Sequence, residues 1–166
     1  ATAVQRDFEA AAGGPVAQAV IRPQGLYQRR EARSAATAAE ARRAVRAEFG
    51  IPPAARLLLG VGYTDHRKGV DLFIDAVAAM RASGEDAHAI WLGHHDTSTI
   101  DALRARIARH GLGDRLHLPG RRDDPRPFYD AADAYLLTSR EDPYPSVVLE
   151  AMAADLPVVL FEGATG

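Results

Sequence analysis

From residue 56 onward the chain alternates between short, unbroken apolar runs and segments whose apolar residues recur at helical spacing. Leu57-Leu58-Leu59-Gly60-Val61 has no polar position, so a strand formed there must be covered on both faces. Val70, Phe73, Ile74, Val77 and Met80 then recur at the spacing of one helix face. Ala87–Leu92 reads as a second buried run, and Ile100, Leu103 and Ile107 form a second helix face, stopped by Gly111. Ser98 with Asp101 reads as a capping box for that helix. Arg115–Leu118 is a third strand, 126–133 a short helix and Ala134–Thr138 a fourth strand. Ser146–Ala154 follows as a helix and Pro157–Phe161 as a fifth strand. Strands buried on both faces and joined through helices predict α/β architecture with a doubly wound, Rossmann-like parallel sheet. In the order 3-2-1-4-5 the winding reverses between strands 1 and 4, and ligands bind beside that switch at the carboxyl ends.

The first 55 residues differ. They are rich in alanine, with a short helical opening broken at Gly13-Gly14-Pro15, an expected edge strand over Val16–Arg22, and a lead-in helix over Ser34–Phe49. Ser34 is the expected N-cap and Gly50 the stop, with Pro52-Pro53 beyond. This gives a layout of a linker strand and lead-in helix over 1–55, packed on a nucleotide-binding domain over 56–166. A chain of 166 residues holds one ordinary core. Its formal net charge of −2 argues against a nucleic-acid partner. Cysteine is absent, so disulfides and thiolate metal sites are excluded. No apolar run approaches the ~20 residues of a membrane span. The start at Ala1 and the end at Gly166 read as the edges of a piece cut from a longer protein.

The switch rule points to the segments after Val61 and after Thr138. The first loop is Gly60-Val-Gly-Tyr-Thr-Asp-His-Arg-Lys-Gly69. Glycines at 60 and 62 let backbone approach a ligand, while Arg67 and Lys68 put two cations at a helix start, where anions are favoured. Asp65 stands where the dinucleotide fingerprint needs its third glycine, and the P-loop spacing is missing. A tight turn with solvated basic residues explains the same pattern, and on spacing alone both readings stand. The second loop is Ser139-Arg-Glu-Asp-Pro-Tyr-Pro-Ser146, running into Val147-Val-Leu-Glu150. Ser146 is the expected cap, leaving the N–H groups of Val147 and Val148 directed at a ligand. Glu150 lies one turn on, on the face of Ser146 and Val147, and can accept from a diol. Asp142 precedes it by eight positions. Two carboxylates around a helix start are common, and on spacing alone the better reading is that Glu150 complements the helix dipole and Asp142 caps a turn.

Ala131–Val159, with Ser139-Arg-Glu-Asp-Pro-Tyr-Pro-Ser-Val-Val-Leu-Glu-Ala-Met-Ala153 at its centre, resembles the signature region of glycosyltransferase family 4, retaining enzymes of the GT-B fold. Val61-Gly-Tyr-Thr-Asp-His-Arg-Lys-Gly-Val-Asp-Leu72 resembles that family's glycine-and-lysine loop. The likeness runs from about Leu57 to Val159. It implies the C-terminal, donor-binding half of a hexosyltransferase-type enzyme, with a nucleotide-diphosphate sugar as substrate. It implies that Lys68 neutralises the donor diphosphate. Of the family's E-x7-E pair, Glu150 matches the second acid, on the ribose, and Asp142 occupies the first, on the donor sugar. Gly120 and Arg121, after the third strand, match the region against the nucleobase. Three positions depart from the pattern: Tyr63 replaces an arginine whose part falls to Arg67, Asp142 is one methylene short, and Pro145 replaces a glycine. They imply altered sugar contacts.

The expected chemistry needs no metal or other cofactor; Lys68, Arg67 and the helix start at 146–148 would stabilise the departing nucleotide. The acceptor would be held by a preceding domain absent from this sequence, so the fragment alone is expected to transfer poorly. Sugar nucleotides are made inside cells, which places the expected activity in the cytoplasm or at a membrane face. The alternatives are a sugar-nucleotide epimerase of the same fold and a non-catalytic nucleotide-sugar-binding module. A nicotinamide oxidoreductase lacks its third glycine here. His94-His95-Asp96 is expected to be a cleft-rim loop, because consecutive residues rarely converge on one ion. Asp123-Asp124 is expected to be a turn and Trp91 a core residue.

Overall fold

A computed structural model describes residues 2–17 and 34–162. The expected edge strand over Val16–Arg22 falls almost entirely outside them. Eleven elements are described: α1 (Thr2–Ala11), α2 (Ala35–Glu48), β1 (Arg56–Val61), α3 (Val70–Ala82), β2 (Ala87–Leu92), α4 (Ile100–Arg109), β3 (Leu116–Gly120), α5 (Arg126–Ala131), β4 (Ala134–Leu137), α6 (Ser146–Met152) and β5 (Val158–Leu160). The strands form one parallel sheet in the order β3-β2-β1-β4-β5. The switch between β1 and β4 is therefore where the sequence pattern put it.

Side chains of period two divide each strand between two cores. Leu57 and Leu59 of β1 join Ile90 and Leu92 of β2 under α2, α5 and α6, with Phe128, Tyr129, Tyr135 and Ala151. Leu58 points the other way, with Ala89 and Trp91, against Phe73, Ile74 and Val77 of α3 and Leu103 and Ile107 of α4. Gly60 shares that second face. A Cβ there would lie 2.3 Å from the Trp91 ring, so Gly60 makes room for the indole, which meets Phe73 edge-on at 5.1 Å. The expected ligand-approach glycine is thus a packing glycine.

Ser34 caps α2 as expected, accepting the Thr37 N–H at 3.1 Å. The helix is pinned to the sheet by a link the apolar pattern does not announce. Arg42 and Arg46, one turn apart, both donate to Asp133 (2.7 and 2.8 Å), which also accepts the Leu57 N–H at 2.8 Å. Arg46 is buried and donates to the Pro52 and Ala55 carbonyls as well, which satisfies most of its desolvated fork.

Two expected caps differ. α4 begins after Thr99, with no side-chain cap; Ser98 instead gives its N–H and hydroxyl to Asp96. The two acceptors compete for one serine, and the tighter Asx turn wins. α6 begins after Pro145, so Ser146 is its first helical residue and caps nothing. Among the described residues no helix is long and apolar enough to cross a membrane.

Candidate functional site

The chain's two unusual loops meet at the carboxyl ends of β1 and β4. Lys68 Nζ is bonded to Asp142 Oδ2 across 74 residues of sequence, with side chains only 15% and 9% exposed. Ser139 Oγ reaches the same carboxylate at 3.4 Å. The sequence pattern placed both residues near the switch, but nothing in it announced that they pair. Each loop is held for this. Asp65 Oδ1 accepts the Lys68 N–H at 2.8 Å, closing the turn that presents the lysine. Gly69 then enters α3 with φ +67°, and a Cβ on it would lie 2.0 Å from the Thr138 carbonyl oxygen. Only glycine fits there. Thr138 Oγ1 returns a bond to Gly69 O at 2.9 Å.

A second set of links stitches the loops along their rim. The Arg140 N–H donates to Arg67 O at 2.8 Å, and its guanidinium grips Asp71 at 2.8 and 2.7 Å. That arginine holds the Asp71 carboxyl below the ordinary carboxylate range. Arg67 crosses to the second loop, donating to Glu141 O at 3.1 Å and standing 3.9 Å from Asp142 Oδ1. Both cations of the first loop thus converge on Asp142.

Gly62 lies beneath Lys68: a Cβ there would be 3.2 Å from the lysine Cδ. Its backbone is already engaged, the N–H donating to Leu92 O and the carbonyl accepting from the Trp91 indole, at 2.8 and 2.9 Å. Gly62 therefore gives the lysine stem room and offers no backbone donor to a ligand.

On the other side, the hydroxyl of buried Tyr129 donates to Glu150 Oε2 at 2.9 Å, joining α5 to α6 and orienting the carboxylate. This second-rank partner was not legible in the sequence. Tyr135, fully buried below, donates to Val61 O at 3.4 Å; burial raises its phenol well above the ordinary range, so it stays neutral. The expected pair of unbonded N–H groups is reduced: Val148 N–H donates to Pro145 O at 3.1 Å, closing the first turn. Gly120 and Arg121 lie at the end of the outer strand β3, where Gly120 O accepts the Gly93 N–H at 3.1 Å and Arg121 is exposed. They are separated from β1 by one strand, and from the lysine–aspartate pair by more.

A cleft of about 440 Å³ lies elsewhere, along the flank of β3 between Phe49, Arg104, Ile107, His117 and Leu118. Its wide mouth and lack of convergent charged groups beyond Arg104 make it the weaker candidate. The site at the switch carries the ion pair.

The family described as Glycosyl transferases group 1 matches residues 55–166, the whole of the sheet and both loops. The chain belongs to the group 1 glycosyl transferases. The lipopolysaccharide core biosynthesis mannosyltransferase LpsB of Rhizobium meliloti is 32% identical over 114 residues, covering 67% of this chain and 32% of that protein. The lipopolysaccharide glucosyltransferase WaaG of Escherichia coli is 30% identical over 140 residues, covering 84% of this chain and 36% of that protein. Among solved structures, HepE of Anabaena, in complex with UDP and glucose, matches with a TM-score of 0.65 at 26% identity, over 73% of this chain and 33% of that one. This group 1 chain is thus a Rossmann-like sheet of the kind found in GT-B glycosyltransferases, and it spans about a third of the length of these relatives.

Proposed function

We propose that the chain is the donor-binding half of a retaining, metal-independent glycosyltransferase and holds a nucleotide-diphosphate sugar over the Lys68–Asp142 pair. The observation that carries this reading is that pair: a nearly buried ammonium and carboxylate brought together at the topological switch. Breaking a sugar–phosphate bond leaves negative charge on the departing nucleotide and an electron-poor sugar. Lys68 has three N–H donors and spends one on Asp142, so it can also face a phosphate oxygen. Its charge is worth most where water is scarce, as it is here. Arg67, 3.9 Å from the same carboxylate, is the second cation within reach. Asp142 would then hold sugar hydroxyls while balancing the lysine.

Glu150, fixed by Tyr129, would accept the two ribose hydroxyls. The N–H groups of Ser146 and Val147, in the first turn of α6, would face the phosphates, with Gly120 and Arg121 along the base. Support comes from the similarity to a mannosyltransferase and a glucosyltransferase and from the UDP and glucose bound by HepE. The acceptor would be held by a domain outside these residues, and the reaction would draw on the cytoplasmic pool of sugar nucleotides.

The test is calorimetric titration with UDP, GDP, ADP and their sugar conjugates, with and without Mg²⁺. Saturable binding of one base, unchanged by Mg²⁺ and weakened at least tenfold in Glu150→Ala, is expected. Binding that requires Mg²⁺ would overturn the metal-independent mechanism. Absence of binding by every nucleotide would overturn the donor site itself.

A further inference from the structure

The bonds that Arg140 donates cross from the second loop to the first loop and the helix it enters. Its N–H goes to Arg67 O and its guanidinium to His66 O, each at 2.8 Å. The same guanidinium grips both oxygens of Asp71, in the first turn of α3, at 2.8 and 2.7 Å. Lys68 lies between these anchors. Beyond it, Gly69 O accepts the Thr138 hydroxyl at 2.9 Å, so the carbonyls on either side of Lys68 are tied to residues 138–140. Its own N–H is tied to Asp65. Asp142 follows Arg140 by two residues. One guanidinium therefore fixes the turn that presents the lysine against the turn that presents its carboxylate.

Stability does not account for this grip. The Arg140 and Asp71 side chains are each 30% exposed, and an ion pair so open to water adds little to the fold. A bidentate fork does something else: it restricts position and orientation together. Lysine could not replace it, because a single ammonium cannot span two carboxylate oxygens and a carbonyl in fixed directions. Lys68 is where such precision matters. Its side chain is only 15% exposed, and the strength of a charge in a dry place depends steeply on distance.

We propose that Arg140, anchored by Asp71, is a positioning residue that sets Lys68 against the terminal phosphate of a nucleoside diphosphate without touching the ligand. This rests on the reading of Lys68 as the diphosphate contact. The phosphate next to the sugar is the terminal one of the leaving nucleotide, and the lysine is bonded to the carboxylate proposed to hold that sugar. The effect is selective. Glu150 is fixed on the other face by Tyr129, so a nucleoside monophosphate, which lacks the terminal phosphate, should not sense Arg140.

The test is calorimetric titration of the chain with UDP and UMP, GDP and GMP, and ADP and AMP. Wild type should bind the diphosphate of one base more tightly than its monophosphate. Arg140→Gln should weaken the diphosphate about tenfold or more and leave the monophosphate unchanged. Arg140→Lys keeps the charge and should lose nearly as much. In the Lys68→Met/Asp142→Leu background, Arg140→Gln should cost nothing further. Asp71→Asn should reproduce the selective loss with every cation in place, and it decides the matter should the Arg140 variants lose the native amide spectrum. Equal losses for both phosphates would reduce Arg140 to a structural part and overturn the proposal. Full affinity in Arg140→Lys would overturn it in favour of charge alone. A continuing loss in the Lys68→Met/Asp142→Leu background would place Arg140 on the phosphate itself, and also overturns it. Unchanged diphosphate affinity in Arg140→Gln overturns the positioning role and leaves the donor site standing. A wild type that binds no diphosphate, or binds it no better than the monophosphate, overturns the reading of Lys68 and the role of Arg140 with it.

Discussion

Lys68 and Asp142 belong to loops 74 residues apart and form one nearly buried ion pair. Taking both groups from water is costly, and the pair is tolerated because each satisfies the other. Removing one partner strands the other. Lys68→Met is therefore expected to destabilise the chain by about 3 kcal/mol, and Lys68→Met with Asp142→Leu to recover most of that loss. Denaturant midpoints of the three variants check it; a double variant no better than the single would show that the pair is not the source.

Gly69→Ala is expected to cost about 2 kcal/mol or more, because the left-handed conformation and the Thr138 carbonyl both oppose a Cβ. Gly84→Ala is the control. Its φ is also positive, at +91°, but nothing lies within 4 Å of the added methyl. Thermal unfolding of the two variants separates backbone strain from steric contact, and equal losses would remove the steric contribution at Gly69.

Tyr129→Phe deletes one hydroxyl and leaves Glu150 without its 2.9 Å donor. A stability loss of about 1 kcal/mol is expected, with nucleotide affinity falling several-fold because the carboxylate is no longer oriented. Calorimetry on wild type and variant checks this. Unchanged affinity would mean that Glu150 is positioned by its helix alone.

Acid should weaken the fold in two stages. His88 and His117 are held below the ordinary histidine value, chiefly because burial disfavours the imidazolium; at His88 the neighbouring Arg115 adds repulsion. The unfolded chain takes up protons near pH 6.5 while the folded chain resists. Between those values the unfolded state binds more protons, so stability falls as pH is lowered from about 7 towards 5. Asp71 and Asp75, held down by Arg140 and Arg106, keep their contribution above the ordinary carboxylate range and lose it only as pH falls below about 4. Denaturant unfolding across this range checks both stages, and His88→Gln with His117→Gln should flatten the first.

The sheet was legible because its strands carry mostly apolar runs: Leu57–Val61 and Ala87–Leu92, the latter broken only by His88, each have one interpretation once helical faces are found between them. The switch between β1 and β4 followed from the parallel connection rule. Lys68, Asp142 and Glu150 were legible through a family resemblance more than through spacing. What escaped the sequence is contact between distant side chains. Tyr129 reads as an ordinary core aromatic until its hydroxyl is seen on Glu150. Arg140 reads as a solvated loop cation until it is seen gripping Asp71. The caps of α4 and α6 failed for a local reason, since a serine beside an aspartate or after a proline has more than one use for its hydroxyl. Gly60 and Gly62 were legible as close-approach positions, but what approaches is Trp91 in one case and the Lys68 stem in the other.

The proposed nucleotide site stands on the switch-point ion pair. Backbone amide mapping of the labelled chain with the tightest of UDP, GDP and ADP tests it most directly. Saturable shifts concentrated at Lys68, Asp142 and Ser146–Glu150 are expected, lost together in Lys68→Met/Asp142→Leu. Shifts centred on the β3 cleft, at Phe49 and His117, would contradict it.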